Sequence, residues 1–517
     1  MNWKRGIAAV LCGAVLLGIL AGCGASDADG GSGAIIGSGQ AVTQAADVKA
    51  VDSFTLAYNE TDGLDPLACT TPENQLIVQL CFERLFVLDN EFQPQKELCD
   101  TIEQTGDRSY TLTIRPGVKF HSGQEVTAED VVYSLNNARL REDSIYKEQL
   151  AGISSVKYSG DEIKLRLYRR NANIAALLDV PIFRQGTEED TCPDGSGPYQ
   201  LVTTEAEPNL IPFEQWSGGK VGFCKSITLR TVADSVGAAN LLSSGELSLL
   251  LQRDAEEEAV QGAKYTASIP TTTLHYLGVN CDREPLDDEE VRTALSMLLD
   301  RSSIVQTCFA GRADAAAVPI SPVPEGTEVP SFDTKAALDL LEKAGIYDRD
   351  GDGYLDVKRG EPFQLEIIYN EIYSTKGAVL QQYAKTLNEA GIATTVKPLS
   401  FADCQKALRQ EAFQLYYGEY AMDADFNLSS LIGDEGERNF SGYYSGEMEQ
   451  AMQDMASASV EEQQEARKAY IECFTEQTPI IPIAFERAQI ASADVLPEQF
   501  DPWPDDIFHG IETWSAS

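Results

Sequence analysis

Residues 115–135 read RPGVKFHSGQEVTAEDVVYSL, and no other stretch of the chain carries so many structural signals. Residues 110–114, just before it, alternate apolar and polar side chains as a half-buried strand does. Within the stretch, residues 118–123 predict a second short strand with a hairpin-like turn. Thr127 and Asp130 have the spacing of a capping box, with Asp in place of the usual Glu, so a helix is expected to begin there.

A second region of mixed structure is predicted to begin near Leu286. Acidic residues 287–290 would lie at a helix N-terminus, where the helix dipole favours negative charge. The segments that follow are a helix at 336–344, a strand at 363–369, a helix at 377–390 and a strand at 394–398. Alternation of this kind is typical of an α/β fold.

The N-terminus has the features of an export signal. Lys4 and Arg5 precede an uncharged apolar stretch, residues 7–20, which is shorter than the roughly 20 apolar residues that a membrane span needs. Cys23 ends the run Leu-Ala-Gly-Cys, which resembles a bacterial lipobox. The sequence therefore predicts a lipoprotein signal peptide over 1–23 with lipid on Cys23; the alternative is an ordinary signal peptide with an incidental cysteine.

Charge limits the partners of the exported chain. The full sequence has a formal charge of −41, and removal of Lys4 and Arg5 with the signal makes it more negative. Such a surface repels nucleic acid and anionic lipid headgroups, so we expect no nucleic-acid partner and attachment to the membrane only through the lipid. Residues 24–50 are small and polar without an aromatic side chain, and they predict a flexible tether.

The sequence offers no constellation typical of catalysis or of a bound cofactor. No cysteine pair has the C-x-x-C spacing of a metal or redox site, and no Ser or Cys nucleophile has an identifiable base. Nine cysteines remain after Cys12 and Cys23 are set aside, so at least one thiol stays unpaired and the pairing of the others is open. The three histidines are predicted to be structural.

An acidic run imitates the first half of a calcium-binding loop. Asp348, Asp350, Asp352 and Asp356 occupy positions one, three, five and nine, but Arg359 stands at position twelve, where the loop needs a bidentate glutamate. A polar turn is the preferred interpretation, and we expect no metal site.

Several motifs resemble one family when their order and spacing are taken together. They are Leu64-Asp65-Pro66, Phe82-Glu83-Arg84-Leu85, the stretch 115–135, Gly195-Ser196-Gly197-Pro198-Tyr199, Ser244-Gly245-Glu246 and VRTALSMLLDRSSIV at 291–305. From about residue 53 onwards the chain resembles the large solute-binding lipoproteins of peptide-type ABC importers, and it is similar to oligopeptide- and dipeptide-binding proteins.

That resemblance implies an α/β, two-lobed periplasmic-binding-protein-like fold with hinge crossings and an extra domain inserted into the first lobe. Residues 276–280 and 480–485 are the predicted crossings; both could instead be ordinary strands inside one lobe. The implied divisions after the tether are lobe I at 51–88, 197–280 and 485–517, the inserted domain at 89–196, and lobe III at 281–484.

The resemblance also implies a ligand site. A Trp-x-x-Asp element of the family places its carboxylate at Asp423 and replaces its tryptophan by Tyr420; Asp425 is a competing candidate. A surface aspartate is the plain alternative for Asp423. Three basic residues of the same lobe, Arg409, Arg438 and Lys376, could face a peptide carboxylate, but none lies in a family motif.

The function implied is that of a monomeric receptor, lipid-anchored on the extracytoplasmic face of the cell membrane. It would capture oligopeptides, close by hinge motion and deliver them to the permease subunits of an ABC importer without performing chemistry. A non-peptide solute, such as a metal chelate or an oligosaccharide, is the first alternative. An exported hydrolase is the second, and the missing catalytic residues argue against it.

Replacing the acylated cysteine separates anchoring from binding. Cys23→Ala is expected to release a folded protein that binds ligand as before but no longer supports uptake by cells, because two or more acyl chains supply the stable anchor. Fractionation of cells, ligand binding by the released protein and uptake of labelled ligand measure this. Loss of ligand binding in this variant would contradict the assignment.

Overall fold

In this computed structural model the chain is described at residues 54–203, 208–221, 223–254, 257, 260–358, 360–372, 374–459, 461–493, 496–497 and 499–514. The predicted signal peptide, Cys23 and the tether lie outside this part and stay predictions. Within it, none of the helices combines the length and the apolarity that a membrane crossing requires. Among the described residues, the nine cysteines from Cys69 to Cys473 form no disulfide.

Helices and strands alternate along the described chain. The strands are β1 Phe54–Tyr58, β2 Phe86–Leu88, β3 Pro94–Lys96, β4 Cys99–Gly106, β5 Ser109–Ile114, β6 Ile153–Ser159, β7 Glu162–Leu167, β8 Tyr199–Val202, β9 Asn209–Pro212, β10 Ile227–Thr231, β11 Leu249–Gln252, β12 Tyr265–Val279, β13 Ala313–Ala315, β14 Gln364–Asn370, β15 Ala393–Leu399, β16 Leu415–Ala421 and β17 Ile480–Ser492. The helices are α1 Pro72–Cys81, α2 Ala128–Leu140, α3 Ser235–Ser244, α4 Glu289–Met297, α5 Arg301–Thr307, α6 Thr334–Lys343, α7 Ser374–Glu389, α8 Phe401–Arg409, α9 Ser429–Ile432, α10 Gly446–Ser457 and α11 Gln463–Gln477, with a 3-10 helix at Ile174–Leu177.

The strands form one large sheet and three smaller ones. The large sheet has the order β11-β17-β12-β16-β14-β15, with β13 also paired to β17. The smaller sheets have the orders β1-β10-β9-β8, β4-β5-β7-β6 and β2-β3. The first lobe is the part whose core contains β1, β10 and the sheet β4-β5-β7-β6. The second lobe is the part whose core contains α4, α7 and β14.

Two long antiparallel strands, β12 and β17, run through both lobes. Their pairing extends from Tyr265 opposite Ser492 to Gly278 opposite Ile480, and it shifts register between Pro270 and Leu274. On one side of the shift Ile269 and Ala488 pack in the core of the first lobe. On the other side Leu277 and Ile481 pack in the core of the second. The predicted crossing segments therefore pair with each other. The point at which the strands pass from the core of one lobe to that of the other lies next to them, at the register shift.

Local signals in the sequence correspond closely to the elements formed. Thr127 and Asp130 make the capping box in both directions, and α2 begins directly after Thr127. Residues 118–123 are not a strand; Lys119 and Glu125 form only an isolated bridge. Helix α1 ends at Cys81, whose carbonyl oxygen accepts a bond of 3.0 Å from the amide of Gly197 instead of a bond from a further helical turn.

Glycine and tyrosine alternate across the pair β12 and β16. Gly278 lies opposite Tyr416, and Tyr276 lies opposite Gly418. Each ring covers the facing glycine so closely that a Cβ on Gly278 would lie 1.9 Å from Tyr416, and one on Gly418 would lie 2.4 Å from Tyr276. The two tyrosine hydroxyls are 3.2 Å apart. This packing joins the hinge strand β12 to the second lobe.

A methyl group at this contact should loosen the sheet. Gly278→Ala is expected to lower the free energy of unfolding by about 1–3 kcal/mol, since overpacking a filled core forces a ring from its rotamer. Urea denaturation measures the change. Gly152→Ala is the matched control, because a Cβ there has no heavy atom within 4 Å. Equal stability of the two variants would contradict the packing argument.

Candidate ligand-binding site

A cavity of about 260 Å³ lies beside the register shift of the hinge strands. Thr271, Thr272 and Thr273 of β12 form part of its wall, and residues 421–424, which leave β16, form another. The remaining lining residues are Leu88, Phe92, Gln149, Ala176, Asp179, Arg253, Ile269, Pro270, Pro504 and Asp505. Residues of both lobes line this cavity. It therefore has the position that the ligand cleft has in a two-lobed binding protein.

Asp423 lines this cavity from the second lobe. Its loop is fixed to the hinge strand by two bonds: the amide of Met422 donates to the carbonyl oxygen of Thr272 at 3.2 Å, and the Thr272 hydroxyl donates to the Met422 carbonyl oxygen at 2.6 Å. Burial, together with the nearby acids Asp425 and Glu148, raises the pKa of the Asp423 carboxyl to about 7. A ligand ammonium group in the cavity would restore the charged form.

Asp425, two residues later, is buried and bound within the protein. Its Oδ2 accepts a bond of 3.0 Å from the Asn171 side chain of the first lobe, and its Oδ1 accepts one of 3.2 Å from the Asn427 amide. The amide of Ala172 also donates to the Ala456 carbonyl oxygen at 2.7 Å. Asp425 therefore holds the two lobes together, and it is absent from the described lining of the cavity.

Tyr420 lies behind the cavity. Its half-buried ring packs against the second lobe with the guanidinium carbon of Arg438 at 5.1 Å from the ring centroid. Burial raises the pKa of the Tyr420 hydroxyl. Tyr420 thus belongs to the end of β16 that precedes the Asp423 loop, and it is absent from the described lining of the cavity.

None of the three basic residues proposed from the sequence lines the cavity described above. Arg438 packs on Tyr420, Lys376 makes an ion pair of 2.9 Å with Glu419, and Arg409 is exposed in the last turn of α8. The basic residue that does line it is Arg253, directly after β11. Its position after the buried apolar strand 249–252 is the only sequence signal that could have pointed to it.

A larger cavity of about 440 Å³ adjoins the first. Gln149 contributes to both, and the larger one lies between residues 149–177 of the first lobe and residues 427–456 of the second. Leu177 and Met452 give it apolar surface. A ligand held at Asp423 therefore has room to extend between the lobes.

The acidic loop lies in the second lobe, away from these cavities. One ligand atom each of Asp348, Asp350 and Asp356 lies within 4.8 Å of the others. The carboxylate of Asp348 accepts bonds from the amides of Gly351 and Gly353, and that of Asp356 accepts one from the amide of Arg349. These bonds are those of a polar turn. Residue 359 lies outside the described part of the chain.

Comparison with known proteins identifies the family. Residues 93–439, more than half of the chain, match the bacterial extracellular solute-binding proteins, family 5 (middle region). The chain belongs to this family. The resemblance noted in the sequence is therefore confirmed.

Related family 5 proteins have the same fold and bind different solutes. The glutathione-binding protein GsiB of Pectobacterium atrosepticum is 24% identical over 421 residues, which cover 75% of this chain and 79% of that protein. The oligopeptide-binding protein AppA of Bacillus subtilis, in complex with a nonapeptide, is 21% identical with a TM-score of 0.60, covering 90% of this chain and 99% of that one. The nickel ABC transporter protein of Bacillus halodurans is 21% identical with a TM-score of 0.73, covering 88% and 97%. The two-lobed periplasmic-binding-protein-like fold is thus confirmed, whereas the domain boundaries stay a prediction.

Asp423 should destabilise the ligand-free protein at neutral and higher pH. A carboxyl whose pKa is raised on folding binds more protons in the folded state, so its contribution is complete below about pH 4 and is lost as the pH rises through about 7. Asp423→Asn is therefore expected to increase the free energy of unfolding at pH 8 by on the order of 1–3 kcal/mol. The difference should vanish near pH 4. Urea denaturation at both pH values measures it, with Asp161→Asn in an exposed turn as the control.

Proposed function

We propose that this protein is the peptide receptor of an ABC importer, anchored by lipid on Cys23 to the extracytoplasmic face of the cell membrane. The observation that carries the proposal is the half-buried carboxylate of Asp423 in a cavity between two lobes. Membership in family 5 supports solute binding, and the names of GsiB and AppA support a peptide-like ligand. Binding and delivery require no covalent step.

The chemistry of the cavity suits a peptide end. A carboxylate in a site of low polarity binds an ammonium group strongly, because both charges have lost hydration and each then compensates the other. Leu88, Phe92 and Ile269 provide apolar surface for a side chain, and the neighbouring larger cavity offers space for further residues. If the contacts to the ligand's side chains are loose, peptides of many sequences would bind.

Closure about the hinge strands would link binding to delivery. Asp423 follows β16 of the second lobe, whereas Asp179 and Arg253 lie beside Leu178 and Leu251 of the first-lobe core, so a ligand that contacts both walls favours the closed arrangement. The rings of Phe92 and Phe426 already meet edge-on at 5.5 Å, in a core cluster that contains residues of both β2 and β16. A permease that binds only the closed form would then receive loaded protein.

A metal chelate is the second candidate, favoured by the similarity to the nickel ABC transporter protein. The described lining of the 260 Å³ cavity includes neither His nor Cys. The described wall of this cavity therefore lacks the nitrogen and sulfur ligands that usually coordinate nickel directly. A chelate would have to bring its own ligands.

Mass spectrometry of retained peptides tests the function. The purified protein is mixed with synthetic peptides of different lengths, and the bound and free fractions are separated and analysed. We expect intact peptides in the bound fraction and a loss of roughly tenfold or more in affinity in Asp423→Asn, since a charged hydrogen bond is removed.

Asp161→Asn should bind as the wild type does. Peptide cleavage in solution would overturn the receptor proposal in favour of a hydrolase, and retention of no peptide would overturn the peptide ligand.

A further inference from the structure

The floor of the cleft contains a cluster of half-buried charged side chains that the proposed contact at Asp423 does not use. Asp179, Arg253 and Asp505 line the 260 Å³ cavity, and the same three residues, together with Arg84, line a smaller cavity of about 140 Å³ behind it. All belong to the first lobe. They therefore face Asp423, which enters from the second lobe.

Arg84 and Arg253 differ in how far the protein binds them. Arg84 donates from Nη1 to the backbone carbonyl oxygen of Asp505, and its amide bonds to Glu97 at 2.6 Å. The buried Nε of each guanidinium lacks a hydrogen-bond partner among the described residues, so the two side chains differ in the Nη1 bond that Arg84 makes. Burial lowers the pKa of the Arg253 guanidinium, because its charge has lost more hydration than nearby Asp505 restores. The floor thus holds a cation that an anion would stabilise.

The acids of the cluster compensate the two guanidinium groups only in part. Asp179 and Asp505 lie near enough to influence each other's pKa, and Asp179 accepts a bond from Gln149. Burial and the charge of Asp505 raise the pKa of Asp179 to about 8, so Asp179 is protonated at neutral pH. Because burial raises the pKa of Asp179, Asp505 and Glu97 alike, these acids compensate the two guanidinium groups less than their number implies.

We propose that Arg253 is the anion-binding residue of the cleft and receives a carboxylate of the ligand, opposite the ammonium group held by Asp423. This inference rests on the proposed function and narrows its ligand class. The preferred ligand is a short peptide with both ends free, whose two charges are matched by the two walls of one cavity. A guanidinium can offer a carboxylate two parallel hydrogen bonds, which fixes its orientation.

The size of the cavity agrees with a short ligand. At about 260 Å³ it is slightly below the roughly 300–1,000 Å³ of typical small-molecule sites. A ligand that places one end on each wall must therefore be compact. Longer peptides would have to leave one terminus in the neighbouring 440 Å³ cavity, away from Arg253.

Modified peptides test this on the wild-type protein, without relying on a variant. The probes are di-alanine and tri-alanine, each also as the C-terminal amide and as the N-acetylated form, and binding is measured by titration calorimetry. Amidation is expected to weaken binding of the better probe by roughly tenfold to a hundredfold, since it removes a charge-assisted bond. Equal binding of acid and amide would overturn the assignment of Arg253 and leave the peptide proposal standing.

Variants then locate the effect. Arg253→Gln should bind acid and amide alike while still losing affinity on N-acetylation, and Arg253→Lys should keep part of the preference for the acid. Arg166→Gln, exposed on β7, is the matched control and should behave as the wild type. A preference for the acid that persists in folded Arg253→Gln would overturn the inference. Failure of the wild type to bind either alanine peptide would overturn it as well; peptides retained from a longer mixture would still support the peptide receptor.

Discussion

The antiparallel pairing of β12 with β17 is the constraint on which the rest of the molecule depends. These strands are the framework shared by the two lobes, and their register shift between Pro270 and Leu274 is where side chains pass from one core to the other. Backbone hydrogen bonds in a continuous ladder resist separation, whereas an irregularity permits bending. The cavity lies at that irregularity, because the edges of the two lobes face each other there.

One short loop illustrates how burial assigns different roles to identical side chains. Asp423 and Asp425 are two residues apart, and desolvation raises the pKa of both carboxyls. Asp425 is compensated by Asn171 and by the Asn427 amide, so it serves packing between lobes. Asp423 has no such compensation among the described side chains and faces the cavity. A poorly solvated charge kept at a cavity wall is characteristic of a binding group, which gains its partner when the ligand arrives.

The sequence was sufficient where the signal is local or where a motif covers it. Thr127 and Asp130 indicate the start of α2 because capping is decided within four residues. The family motif indicated Asp423 as a candidate, and its role in binding stays a proposal. Arg253 could not be found in this way: its importance arises from its position beside Asp179 and Asp505, which are distant in the chain. The end of α1 was also hidden, because the group that bonds to the Cys81 carbonyl oxygen is Gly197.

The two bonds between Thr272 and Met422 place the proposed ligand contact at Asp423 close to the axis about which the lobes would turn. Near an axis, displacements are small and forces are large, whereas at the outer ends of the lobes the same rotation becomes a wide sweep. A fraction of an ångström gained at Asp423 is thereby converted into a change of angle. An importer that contacts only the far ends of the lobes could respond to that angle. It would then distinguish loaded from empty protein without contacting the solute.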